Sequence, residues 1–266
     1  MIPVSVQAGK SPIVLGMPHT GAYVPDDVWK QLNKNGRKLT DTDWHIDRLY
    51  AGLIPEATTV KANFHRYVID ANRDPAGGSL YPGQNTTGLV PQTDFNGQSI
   101  WQMLPSDSEI KQRCATFHAR YHYTLKSELE RVHALHGIAI LYDCHSIRSN
   151  IPFLFDGTLP DFNIGTNLGS TCDDKFETET RTICEKATAY STTTNGRFKG
   201  GWTTRHYGQP TQGIHAIQME LAQSTYLTNE AAPWIFDDSK SAQLRPHLAS
   251  ILTKLVAITP SVGGPQ

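Results

Sequence analysis

The sequence lacks the features of several protein classes. It holds only four cysteines in 266 residues, with no C-x-x-C spacing, so neither a disulfide scaffold nor a cysteine-rich zinc site is expected. Its 24 basic and 25 acidic residues give a formal net charge of −1, which attracts neither nucleic acid nor anionic membrane. No apolar run approaches the roughly 20 residues that cross a bilayer, and no secretion signal begins the sequence. We therefore expect a cytoplasmic protein without nucleic-acid or membrane partners.

The remaining composition is that of an ordinary globular chain, with 38% apolar and 18% charged residues. At this length, one core could bury about 70 to 75% of the unfolded surface. No repeat, low-complexity tract or long linker divides the sequence. We therefore predict a single domain over residues 1–266. The sequence does not indicate an oligomeric state.

Short apolar runs alternate with segments of helical periodicity. The apolar runs predict strands, at 11–18, 66–70, 138–145 and 215–221. The periodic segments predict helices, at 41–54, 106–136, 173–190 and 238–256. Such alternation is typical of an α/β fold with a mostly parallel sheet.

Three predicted strands end in residues that can carry chemistry. His19 follows the first strand, His145 ends the third, and Glu220 lies in an otherwise apolar strand. Ligands of open α/β sheets bind at the carboxyl ends of the strands. Two imidazoles and one carboxylate form a common ligand set of catalytic zinc, and a buried glutamate can serve as its acid/base partner. A lone histidine is more often structural, so the prediction rests on all three residues together.

Asp47 is the predicted carboxylate ligand of this zinc site. Asp43 and His45 are the alternatives nearby, and a carboxylate in the first turn of a helix also has a simple electrostatic explanation. Asp143 precedes His145 by two positions and therefore points to the same side of an extended strand. It could orient the imidazole of His145 through the second ring nitrogen.

Several arginines lie beside strand ends or in loops rich in glycine and asparagine. They are Arg66, Arg73, Arg148 and Arg205. A guanidinium forms a bidentate pair with a carboxylate, so converging arginines would suit a small dicarboxylate substrate. The simpler alternative is that Arg66 and Arg73 pair with Asp70 and Asp74. The loop 195–210 adds His206 between glycines, which are consistent with close approach to a ligand, a mobile lid or plain tight turns.

Seven segments together resemble the N-formylglutamate amidohydrolase family. They are PHTGAYVP (18–25), DTDWHIDRLY (41–50), RYVIDANRDP (66–75), LYPGQNTTGL (80–89), DCHSIRS (143–149), GRFKGGWTTRHYGQP (196–210) and IQMELAQSTY (217–226). The resemblance implies a three-layer α/β/α fold with a mixed, mostly parallel sheet, similar to the phosphorylase/hydrolase-like zinc carboxypeptidases. It also implies zinc-dependent cleavage of N-formyl-L-glutamate to formate and L-glutamate, at the end of a histidine-degradation route.

The resemblance also implies roles for individual residues. It places the metal ligands at His19, Asp47 and His145 and the acid/base carboxylate at Glu220. We expect the substrate to be bound by residues of the loops and strand ends: Arg66, Asn72, Arg73, Arg148, Arg205 and His206. The alternatives are a related zinc hydrolase of another N-acyl amino acid or peptide fragment, and a non-catalytic dicarboxylate-binding protein.

Overall fold

The structure is a computed structural model that describes residues 1–78, 80 and 83–262. Tyr81 and Pro82 of the LYPGQNTTGL segment, and positions 263–266 of the predicted domain, lie outside the described residues. Within them, seven strands are found: β1 Val4–Gln7, β2 Ile13–Met17, β3 Thr58–Ala62, β4 Ala139–Ile147, β5 Phe162–Gly165, β6 Thr192–Thr194 and β7 Ile214–Ala222. The helices are α1 Asp26–Gln31, α2 Ile46–Tyr50, α3 Asp107–Arg113, α4 Ala119–His136, α5 Asp174–Lys186, α6 Trp202–Tyr207 and α7 Asp238–Ile258.

The strands form one mixed, mostly parallel sheet in the order β1-β3-β2-β4-β7-β5-β6. The four strands β3, β2, β4 and β7 run parallel, whereas β1 and β5 are antiparallel to their neighbours β3 and β7. The predicted α/β class with a mixed, mostly parallel sheet is confirmed. Within the described ranges, no helix has the length and apolarity needed to cross a membrane.

Alternate residues of the central strands pack into separate cores on the two faces of the sheet. Leu15 and Tyr142 face α2, α5 and α7, whereas Val14 and Leu141 face α1 and α4. Because successive side chains of a strand point to opposite faces, β2 and β4 are buried on both sides, and residues 139–142 of β4 are all apolar. Helices on both faces give three layers.

The long helical segment at 106–136 follows its sequence signals closely. Ser106 and Glu109 form a reciprocal capping box at the start of α3, and Gly137 ends α4 in the left-handed conformation (φ 69°). A π-helical turn at Cys114–His118 joins α3 to α4.

Two predicted elements differ from the structure. Residues 66–70 do not form a strand: Arg66–Val68 is a buried turn, in which the Val68 amide donates to the His65 carbonyl at 2.9 Å. The predicted helix at 41–54 shortens to Ile46–Tyr50, because His45 adopts a left-handed conformation (φ 59°) directly before it. Strands β1, β3, β5 and β6 were not predicted, since they are short and lie toward the edges of the sheet.

Candidate metal centre

The strand register brings the predicted site residues to one edge of the sheet. His145 of β4 lies directly beside Glu220 of the parallel strand β7. On the other side of β4, Gly16 of β2 pairs with Asp143, and His19 follows β2 after Pro18. The chain then carries Asp43 to the same place, because its amide donates to the carbonyl of His19 at 3.1 Å.

His19, His145 and Asp43 form a compact, buried group of possible metal ligands. The Nδ1 atoms of the two histidines lie 3.3 Å apart, and Asp43 Oδ2 lies 3.2 Å from Nδ1 of His145 and 3.8 Å from Nδ1 of His19. Tetrahedral zinc with bonds of about 2.0–2.1 Å requires ligand atoms about 3.3 Å apart. These three residues could therefore hold a metal ion.

Carboxylates lie behind both imidazoles. Nε2 of His19 is 2.7 Å from Asp70 Oδ1, and Nε2 of His145 is 3.0 Å from Asp143 Oδ1. A carboxylate at Nε2 favours the tautomer that carries its proton there, which leaves Nδ1 as a lone pair for a metal. Asp143 therefore lies where the sequence placed it. From the sequence, Asp70 is a candidate ion-pair partner of Arg66, and its contact with His19 is not predicted.

The structure brings Asp43, and not Asp47, to the two histidines. Asp47 lies in the first turn of α2, half-exposed, with its Oδ2 2.8 Å from Nζ of Lys61. It lines a different cavity, beside β1 and β3. The left-handed residue His45 separates the two aspartates, so the chain changes direction between them. His45 is also away from the cluster, since its Nε2 lies 2.7 Å from the carbonyl oxygen of Trp234.

Arg66 stabilises the ionised form of Asp43 in this cluster. Its guanidinium donates to Asp43 Oδ1 at 2.6 Å, and both residues are buried. Although burial favours the neutral acid, Arg66 and His145 outweigh it and lower the pKa of Asp43. Burial also opposes protonation of His145, but the carboxylates of Asp143 and Asp43 raise its pKa well above the ordinary value. Asp43 is therefore held in its ionised form, and its negative charge attracts a cation to the two histidines.

A cavity of about 60 Å³ opens onto this cluster. Its lining includes His19, His145 and Glu220. Burial, which outweighs the attraction of His145, raises the pKa of Glu220 to about 8. Gln218 donates to Oε2 of Glu220 at 3.1 Å.

Asn72 and Arg73 line the same cavity. The amide nitrogen of Asn72 lies 3.2 Å from Nε2 of His145, and its oxygen accepts from the backbone amide of Thr203 at 2.8 Å. Arg73 donates to the carbonyls of Asn72 and Thr87. A Cβ at position 201 would lie 2.2 Å from Nδ2 of Asn72, so a side chain there would displace the Asn72 amide.

Only part of the predicted substrate-binding set lines the cavity. Arg66, Asn72 and Arg73 do, whereas the other predicted members are not among the described lining residues: Arg148, Arg205 and His206. Arg148 donates to Asn96, Arg205 to the Gly200 carbonyl, and His206 stacks on Trp202. Arg197 also lines the cavity, from the predicted loop 195–210, although no sequence signal distinguishes it.

Comparisons with known proteins identify the family of this chain. The family model for N-formylglutamate amidohydrolase matches residues 11–227. The chain belongs to the N-formylglutamate amidohydrolase family. It is 44% identical to an N-formylglutamate deformylase of Pseudomonas aeruginosa over 258 residues, and 43% identical to one of Pseudomonas putida over 257 residues. Each match covers 96% of both chains, so the chain is an amide-bond hydrolase.

Two solved structures share the fold. An N-formylglutamate amidohydrolase from Ralstonia eutropha superposes with a TM-score of 0.81 at 22% identity, over 98% of this chain and 99% of the other. A gene product of Agrobacterium tumefaciens gives a TM-score of 0.73 at 16% identity, over 97% and 96% of the two chains. At these identities the likeness concerns the fold alone.

Proposed function

We propose that this family member is a zinc-dependent hydrolase that cleaves N-formyl-L-glutamate to formate and L-glutamate. The observation that carries the proposal is the convergence of the Nδ1 atoms of His19 and His145 on Oδ2 of Asp43, at separations of 3.2 to 3.8 Å. This donor set and spacing suit zinc. The names of the two Pseudomonas relatives support the substrate.

His19, Asp43 and His145 would hold the zinc ion. A bound zinc ion supplies a Lewis acid for the formyl carbonyl and acidifies water nearby. Asp70 and Asp143 keep the two imidazoles in the tautomer that binds metal, and Arg66 keeps Asp43 ionised.

Glu220 would serve as the acid/base group. It takes a proton from the attacking water and delivers it to the amide nitrogen of the departing glutamate. A pKa raised toward neutrality suits a group that must both accept and donate a proton in one cycle.

Arg73, Asn72 and Arg66 would position the substrate. Arg73 and Asn72 are adjacent in sequence and both line the cavity, so they can bind one carboxylate beside the zinc ligands. Arg66 adds positive charge to the same wall. Holding the formyl carbon in reach of the water supplies a large part of the rate enhancement.

The proposal also includes the setting of the enzyme. We assign residues 1–266 to one catalytic domain, supported by the single sheet that the described strands form. Placement in the cytoplasm is supported by the four free cysteines, and placement in histidine degradation by the family resemblance.

A metal analysis coupled to a formate-release assay tests this proposal. We expect about one zinc per chain and release of formate from N-formylglutamate, with loss of activity on chelation and recovery on addition of zinc. Faster hydrolysis of a neutral N-formyl amino acid than of N-formylglutamate would instead favour a related hydrolase of another substrate. Full activity of the metal-free protein would contradict the proposed zinc dependence.

A further inference from the structure

Arg197 lies on a wall of the cavity that is built by loops. It follows β6 in the segment between Gly196 and Gly200. Its Nε donates to the carbonyl of Leu154 at 3.0 Å, and a terminal nitrogen donates to the carbonyl of Asn85 at 2.8 Å. Leu154 and Asn85 line the cavity as well. One guanidinium is thus anchored to two separate loops beside the site.

The other two arginines of the cavity lie in a different setting. Arg66 pairs at 2.6 Å with Asp43, which is a proposed zinc ligand. Arg73 lies 3.9 Å from Asp70, which contacts the proposed ligand His19. Together with Arg197, they place three guanidinium groups on the cavity wall.

Negative charge in the cavity is sparse. Among the described lining residues, Glu220 is the one carboxylate, and it lies beside His145. A ligand with two anionic groups can therefore meet Arg73 with one group and Arg197 with the other. Bonds to two carbonyls hold the guanidinium plane of Arg197 in a fixed orientation, which favours bidentate pairing with a carboxylate.

We propose that Arg197 binds the side-chain carboxylate of the substrate and so determines the preference for acidic over neutral N-acyl amino acids. The inference rests on the proposed function, in which the substrate is a dicarboxylate. Arg73 and Asn72 bind the α-carboxylate, and Arg197 binds the carboxylate at the far end. The hydrogen bonds from Arg197 to the Asn85 and Leu154 carbonyls also connect the two loops that carry these residues.

The test compares two substrates that differ only in charge. N-formylglutamate and N-formylglutamine are assayed with wild-type protein and with Arg197→Gln. We expect kcat/KM for N-formylglutamate to fall on the order of 10- to 100-fold, mainly through KM, since the variant loses a hydrogen bond between two charged groups. The value for N-formylglutamine should change less than about 3-fold, because an amide gains little from the guanidinium.

Two further variants serve as controls. Arg181→Gln removes a partly exposed arginine of α5 that pairs with Glu185, and both rates should stay unchanged. Arg197→Lys keeps the charge without the fork, so an intermediate preference is expected, and it provides a second reading if Arg197→Gln does not fold. Zinc content, measured on each variant, reports an intact site.

Equal losses for both substrates in Arg197→Gln would assign the residue a structural role only and overturn the inference. Unchanged preference in a folded variant would overturn it too. If the wild-type protein does not hydrolyse N-formylglutamate, the proposed function fails by itself. The preference between N-acetylglutamate and N-acetylglutamine then tests Arg197 separately, and loss of an acidic preference in the variant would still support its role.

Discussion

Nδ1 of His19 and Nδ1 of His145 lie 3.3 Å apart, while Nε2 of each ring lies within 3.0 Å of a buried aspartate. When each ring carries its single proton on Nε2, toward Asp70 or Asp143, two lone pairs face each other across this short distance. Two lone pairs repel unless a cation lies between them. The geometry around the rings therefore creates a binding position for a proton or a metal ion, with Asp43 as the third donor.

Replacing Glu220 by glutamine should abolish most activity and leave the zinc in place. The amide is nearly isosteric with the acid but cannot accept the proton from water. We expect a loss on the order of 10²- to 10⁴-fold in kcat, which is the usual contribution of a general acid/base. Formate release and zinc content are measured together. Glu130→Gln, at an exposed position of α4, is the matched control, and turnover of Glu220→Gln at the wild-type rate would exclude this role.

Arg66→Met should destabilise the metal-free protein strongly. The variant leaves the buried carboxylate of Asp43 without the guanidinium that lies 2.6 Å away, and breaking a buried pair from one side costs about 3–5 kcal/mol. Arg48→Met breaks an ion pair of the same length with Asp238, but that pair is exposed, so we expect a loss within about 1 kcal/mol. Urea unfolding of both variants measures the difference. Equal losses would show that burial is not the deciding factor.

His122 should make the free energy of unfolding decrease on acidification. Burial first, and His118 second, lower the pKa of His122 to about 3, whereas the unfolded side chain titrates near 6.5. Between these values the unfolded chain binds more protons, so the contribution of His122 to stability is present above about pH 6.5 and is lost as the pH falls. From about pH 7 to 5 the loss should be on the order of 2 kcal/mol.

The measurement for His122 is urea unfolding of wild-type protein and His122→Gln at both pH values. The glutamine amide can still donate to the Ala71 carbonyl, which His122 Nε2 contacts at 2.7 Å, but it does not titrate. The variant should therefore lose less stability on acidification than the wild type. Identical pH dependence in the two proteins would show that His122 does not contribute to it.

Much of the fold could be predicted because it depends on local signals. The capping box at Ser106 and the glycine at 137 mark the limits of the long helical segment, and the apolar runs before His145 and Glu220 mark the two longest strands. The convergence of His19, His145 and Glu220 also followed from the sequence, because parallel strands end at one edge of a sheet.

The carboxylate of the metal site could not be settled in the same way. Asp43 and Asp47 are four residues apart and would share one face of a regular helix. The structure separates them, because His45 adopts a left-handed conformation and α2 begins only at Ile46. The bond from the Asp43 amide to the His19 carbonyl is a tertiary contact, and periodicity carries no information about it. Arg197 was missed for a similar reason, since its partners lie in loops far away in sequence.

The central claim, that Asp43 completes a zinc site with His19 and His145, is tested most directly by the zinc content of Asp43→Asn and Asp47→Asn. Each variant replaces one carboxylate with an amide of nearly the same shape, and circular dichroism checks that both are folded. His19→Asn gives an independent reading if Asp43→Asn does not fold. We predict about one zinc per chain in the wild type and in Asp47→Asn, and a binding affinity at least about 10-fold lower in Asp43→Asn and His19→Asn. Full zinc binding by folded Asp43→Asn, with loss of zinc in Asp47→Asn, would contradict the account.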